Sequence, residues 1–129
     1  MTDIIPRPSI LVVEDESLVR MMAVDMFETA GFQVLEASSG EKALKLVEEC
    51  GDLSVLFTDV DLANHIDGFH LSRVVHDAHP EMHIIVVSGQ YVAKKGDLPE
   101  GARFIGKPYD PDVVTATLNE MILAANRPG

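Results

Sequence analysis

The sequence predicts an α/β domain: a doubly wound, five-stranded parallel sheet with helices on both faces. Three observations carry this. Short apolar runs alternate with amphipathic stretches along all 129 residues, the pattern of strands joined by helical crossovers. Four of the runs stop at a chemically committed residue. Ile10-Leu11-Val12-Val13 ends in Glu14-Asp15, Ser54-Val55-Leu56-Phe57-Thr58 in Asp59, Ile84-Ile85-Val86-Val87 in Ser88, and Phe104-Ile105-Gly106 in Lys107-Pro108. Finally, no repeat, low-complexity tract or linker-like segment divides the chain, and its length suits one hydrophobic core. Residues 1–8 read as an N-terminal tail, 9–126 as the domain and 127–129 as a C-terminal tail.

After the first strand, Leu18, Met22, Ala23, Met26 and Ala30 fall on one helical face, and Gly31 stops that helix. Phe32 to Ala37 is the second strand. Ser38 with Glu41 has the spacing of a capping box, opening a helix that turns Ala43, Leu46, Val47 and Cys50 inward. The third strand delivers Asp59. Beyond its loop, Asp67 caps a helix burying Leu71, Val74, Val75 and Ala78, closed by Pro80. Only 18 residues separate Ser88 from Lys107, and they include Gly89, Gly96, Pro99 and Gly101. A fourth helix can hardly extend beyond residues 90–95, so a shortened or partly irregular one is expected. The fifth helix opens with Asp110 as N-cap and Pro111 at the first helical position. It buries Val114, Leu118, Met121, Ile122 and Ala125. The six methionines follow helical core spacing and are expected to fill gaps there.

The net charge of −11 argues against nucleic acid or an anionic membrane as a direct partner, because both repel an acidic surface. Met1 to Pro8 has no apolar core of a signal peptide, and no apolar run approaches a membrane-spanning length. Cys50 is the only cysteine, which precludes an internal disulfide and suits a reducing cytoplasm. His76 and His79 sit three apart near a helix end, flanked by His70 and His83, but with no cysteine partner or supporting arrangement to make a metal site.

In a doubly wound sheet, ligands sit beyond the carboxyl ends of the strands where strand order reverses. With order 2-1-3-4-5 and right-handed crossovers, the first and third strands lie side by side. Glu14, Asp15, Asp59 and Asp61 then converge, and so many carboxylates call for a hard cation bound by oxygen. Mg²⁺ fits best, with Mn²⁺ as a substitute. An incoming phosphoryl group then needs an in-line nucleophile, which Asp59 supplies. The Lys107 ammonium and the Ser88 hydroxyl are placed to hold its equatorial oxygens.

These residues together resemble a response-regulator receiver domain of two-component signalling, a flavodoxin-like fold, from Ser9 to about Ala125. The matching features are Glu14-Asp15, Asp59, Ser88, Lys107-Pro108, Asp67-Gly68 and Phe104. The resemblance implies that Asp59 accepts a phosphoryl group from a phosphohistidine on a sensor histidine kinase or a histidine phosphotransfer protein. It implies direct Mg²⁺ contacts from Asp15 and Asp59, one through water from Glu14, and one from the Asp61 backbone carbonyl. Ser88 would move toward the phosphate, Phe104 would swing inward, and the Lys107-Pro108 bond would be cis. External substrate turnover is not expected. The expected partners are that donor and a downstream protein, the chain being a stand-alone receiver or one cut from a longer protein, and a monomer or a weak, phosphorylation-dependent dimer.

Three departures stand out. The loop of residues 61–66 is one residue longer than usual and lacks the proline often found there. The fourth helix is short, so the partner surface should differ. Phe104 has no hydroxyl and can report the switch only by packing. A competing reading is a haloacid-dehalogenase-like phosphatase, whose first motif Asp59-Val60-Asp61-Leu62-Ala63 partly resembles. Ala63 stands where threonine is usual, and the acidic pair precedes the nucleophile. A flavodoxin-like cofactor module would need a phosphate-holding loop after the first strand, where Glu14-Asp15-Glu16 would repel the phosphate.

Overall fold

The computed structural model describes residues 8–62, 66–94 and 96–125. Five strands form one sheet: β1 (Ser9–Val13), β2 (Gln33–Ala37), β3 (Val55–Asp59), β4 (His83–Ser88) and β5 (Arg103–Gly106). Its order is β2-β1-β3-β4-β5, and every pairing is parallel. Strands buried on both faces must be apolar at every position, which is why β1, β3 and β4 read as unbroken hydrophobic runs.

Successive side chains point to opposite faces, and two cores result. Leu11, Val13, Leu56, Ile84 and Val86 pack with Ala43 and Val47 of α2 (Gly40–Glu49) and Leu71 and Val75 of α3 (Gly68–Ala78). Ile10, Val12, Phe57, Ile85 and Val87 pack on the other face. There they meet Ala23 and Phe27 of α1 (Ser17–Thr29) and Val114, Leu118 and Met121 of α4 (Pro111–Ala125). Phe27 anchors this second core, meeting Phe32 and Phe57 edge-on at centroid distances of 6.1 and 5.0 Å.

Several local expectations are corrected. Helix α1 turns Ala23 and Phe27 inward, while Leu18 and Met22 stand 68% and 65% exposed and Ala30 is exposed too. The bulky Phe27 sets the helix rotation. Met82 and Met121 are core residues and Met26 packs partly, but Met21 and Met22 are on the surface. The cap of α2 is Ser39, whose hydroxyl accepts the Lys42 N–H at 3.2 Å; Ser38 is one residue too early and instead accepts from Lys42 Nζ. Asp67 caps α3, accepting the His70 N–H at 2.8 Å. Val74 and Ala78 are exposed there, because Gly68, Leu71, Ser72 and Val75 already fill the inward face. Asp110 Oδ1 accepts the Asp112 N–H at 2.9 Å and caps α4, along which Ala125 is exposed.

Between β4 and β5 the described residues contain no helix at all, so the shortening expected from the glycines is complete. Lys95 lies outside the described residues. Gly96 and Gly101 take positive φ angles of 95° and 85°, which interrupt helical geometry. The segment is fastened by side chains instead. Asp97 Oδ2 accepts the Lys94 N–H, Arg73 donates to the Asp97 carbonyl at 3.2 Å, and Leu98 packs into the core beneath. The Lys107-Pro108 bond is cis. No helix among the described residues is long and apolar enough to cross a membrane.

Candidate functional site

Strand register decides which side chains meet. Val13 of β1 lies opposite Thr58 of β3, Asp59 opposite Val87 of β4, and Ser88 opposite Gly106 of β5. The residues at or just past those positions therefore emerge at one level of the sheet. They surround a cavity of about 330 Å³ lined by Glu14, Asp15, Glu16, Asp59, Asp61, Gly89, Gln90 and Lys107.

Lys107 Nζ donates to Glu14 Oε1 at 2.9 Å and lies 3.4 Å from Asp59 Oδ1. Glu14 and Asp59 are buried, whereas Asp15 is exposed. One carboxylate oxygen from each of Glu14, Asp15 and Asp59 lies within 4.8 Å of the others. Three acids against one ammonium leave the cluster negative. Its donors are all oxygen and it opens to solvent, so it suits a hard divalent cation that keeps waters in its shell. No other group of this kind, with histidine or without, occurs among the described residues.

Burial pushes the pKa of Asp59 up, partly countered by the charge and hydrogen bond of Lys107. Burial also raises that of Glu14, countered by the Lys107 hydrogen bond and reinforced by the Asp59 charge. For Lys107, burial works downward, but the bonds and charges of Glu14 and Asp59 prevail and hold it above its ordinary value. Ionised carboxylates are thus tolerated here because Lys107 stands between them. Replacing Lys107 with methionine should destabilise the protein by about 3 kcal/mol at neutral pH, by orphaning buried charge. Without the ammonium both acids hold their protons more tightly in the folded state, so the deficit should shrink as pH falls. Urea unfolding of both proteins at neutral and mildly acidic pH checks the size and the sign.

The other expected site residues are placed as follows. Asp61 lines the cavity, but its carboxylate is not one of the clustered three. Ser88 is buried beside the cavity, and its hydroxyl accepts the N–H groups of Gln90 and Tyr91 at 3.1 and 3.0 Å. Phe104 lies opposite Val86 and packs on the α2–α3 side. In the lengthened loop, Ala63, Asn64 and His65 lie outside the described residues.

Three supports escaped the sequence reading. Thr58 Oγ1 donates to the Asp59 carbonyl at 2.9 Å. The α3 N-terminus presses so closely on Asp59 that a Cβ at Gly68 would collide with the Asp59 carbonyl oxygen. Arg20 donates to the Glu14 carbonyl at 2.8 Å. All three act on backbone atoms, and such contacts leave no periodic trace in a sequence.

The chain matches the family model of the response regulator receiver domain over residues 10–119. It is 35% identical over 125 residues to the sensor kinase CckA of Brucella abortus (strain 2308), covering 94% of this chain but only 13% of that protein. It is 27% identical over 119 residues to the response regulator receiver protein CpdR of the same organism, covering 90% of this chain and 98% of CpdR. Among solved structures, a response regulator receiver domain protein from Clostridium thermocellum superposes with a TM-score of 0.79 at 28% identity, covering 91% of this chain and 95% of that one.

Proposed function

The chain belongs to the response regulator receiver domain family, and from that premise we propose that it is a phosphorylation-dependent signalling switch whose phosphoacceptor is Asp59. The observation that carries this reading is a buried carboxylate at a strand tip, 3.4 Å from a lone ammonium and clustered with two further acids in an open cavity. Such a carboxylate is a nucleophile with its charge partner already in place.

Glu14, Asp15 and Asp59 would hold Mg²⁺, or Mn²⁺ in its place. When bound, the cation supplies neutralisation of the cluster and of the phosphoryl oxygens. A carboxylate oxygen of Asp59 attacks phosphorus in line with the donor's P–N bond. The new O–P bond forms as the P–N electron pair returns to the imidazole nitrogen of a sensor histidine kinase or histidine phosphotransfer protein. Lys107 balances charge on an equatorial oxygen. Ser88 turns its hydroxyl from the N–H groups of Gln90 and Tyr91 to another. That exchange frees the turn after β4, where Tyr91 and Val92 are 50% and 81% exposed. The reporting surface is therefore this helix-free segment, with Phe104 contributing through packing alone.

A second opening adjoins the site. Val19, Met22, Met26, Pro108, Tyr109 and Pro111 line an apolar groove of about 630 Å³ that reaches Gly89 and Lys107. It suits an amphipathic helix of the phosphodonor, and the adaptable methionines are placed to grip it. The setting proposed is the cytoplasm, where the unpaired Cys50 stays reduced.

Acetyl phosphate tests the reading without a partner. The expected product is an acid-stable, hydroxylamine-sensitive phosphoryl group that appears only with Mg²⁺ or Mn²⁺ and is lost slowly. Rapid steady-state hydrolysis of small phosphoesters would point to a phosphatase instead.

A further inference from the structure

The junction that carries Glu14 and Asp15 into the cavity is held in an unusual way. Helix α1 follows at once, and the residue at its N-cap, Glu16, makes no side-chain capping bond. The contact from the Glu16 N–H to Glu14 Oε2 is long, at 3.4 Å. Order comes from further along the helix. Arg20, whose side chain is 19% exposed, reaches back with one guanidinium nitrogen to the Glu14 carbonyl at 2.8 Å. Its Nε donates to Glu36 Oε1 of β2 at 2.9 Å. Helix, junction and edge strand are thus joined through one planar group.

We infer that Arg20 is a positioning residue for the cation site: through the Glu14 carbonyl it fixes the backbone from which the Glu14 and Asp15 carboxylates project, and Glu36 aligns it. The inference rests on the reading that these acids hold a divalent cation. The Glu14 side chain has its own anchor in Lys107, but the exposed Asp15 depends on the course of its backbone. A lysine is a poor replacement for the arginine, because one compact ammonium cannot span the two acceptors that separate nitrogens of the planar guanidinium reach.

The test is direct binding of Mn²⁺ to the full chain, followed by the EPR signal of the free ion, with no phosphodonor present. Arg20→Met should weaken Mn²⁺ binding about 10-fold, the lower range for supports that orient metal ligands. Arg20→Lys should weaken it clearly, and Glu36→Gln, which keeps an acceptor oxygen, should do so less. Met121→Ala, in the core that α1 shares with α4, serves as a comparison: it should lower the thermal midpoint and leave Mn²⁺ affinity unchanged. Should Arg20→Met fail to fold, Arg20→Lys decides the question. Affinity in the folded Arg20 variants equal to that of the parent would overturn the inference and leave Arg20 a strap between helix and sheet. If the parent itself binds no Mn²⁺, the cation reading fails first and the inference falls with it.

Discussion

Asparagine in place of Asp59 should abolish labelling by acetyl phosphate while making the cation-free protein harder to unfold. Loss of labelling follows from chemistry. The amide lacks the anionic oxygen that must form the bond to phosphorus, and the cavity offers no second carboxylate with the same setting: Glu14 is already bonded to Lys107, and Asp15, Glu16 and Asp61 are exposed. The gain in stability follows from the same burial that raises the pKa of Asp59. Folding shields the carboxylate from water by more than Lys107 restores. The native state therefore holds the Asp59 proton more tightly than the unfolded chain does. The stability tied to that group is fully present below the unfolded pKa and is lost as pH rises through the native one. The Asp59→Asn substitution would remove this liability, by about 1 kcal/mol at neutral pH, the usual gain when a functional group is made inert. The advantage should fade once the solution is acidic enough to protonate Asp59 in both states. Phosphate labelling and urea titrations at two pH values read both effects. Undiminished labelling of the variant would mean that another residue is the acceptor.

The opposite signs of those two effects explain why so much of the site was legible. Ile10 to Val13, Val55 to Thr58 and Ile84 to Val87 are continuous because their strands are covered on both sides. A charged residue is tolerated only where such a run ends, so the ends announce themselves. Sheet order and register then bring Glu14, Asp59 and Lys107 to one level without further information. What failed was finer. The run Leu18, Met22, Met26 has helical spacing, yet Leu18 and Met22 face outward, Met22 into the groove beside the site. Periodicity identifies an apolar stripe but not whether a core or a partner covers it. Ser38 and Ser39 are chemically equivalent candidates for one cap, and only the start of the helix at Gly40 separates them. Gly96 and Gly101 did signal that a helix would be hard to build after β4. They could not reveal that Asp97 and Arg73 would fasten a helix-free segment in its place.

The close approach of Gly68 to the Asp59 backbone belongs to the illegible part, and alanine there should damage stability and labelling together. A Cβ at this position would run into the Asp59 carbonyl oxygen and lie 2.8 Å from both the Asp59 carbonyl carbon and the Val60 Cα. These are backbone atoms at and just past the tip of β3, so they cannot rotate away as a side chain would. Either the first turn of α3 retreats, stretching the 2.8 Å bond from the Gly68 N–H to the Val60 carbonyl, or the tip of β3 shifts and carries Asp59 with it. Overpacking against an unyielding neighbour costs about 3 kcal/mol. Displacing a nucleophile by a fraction of a side chain's length lowers the labelling rate on the order of 10-fold or more. Gly51→Ala separates this from the general effect of losing a glycine. Nothing lies within 4 Å of a Cβ at Gly51, so that variant should be as stable as the parent, or slightly more so, and should label at the parent's rate. Urea unfolding and acetyl phosphate time courses on the two variants make the comparison. Equal behaviour would mean that α3 does not press on the backbone of Asp59, and that Asp59 is held by the sheet alone.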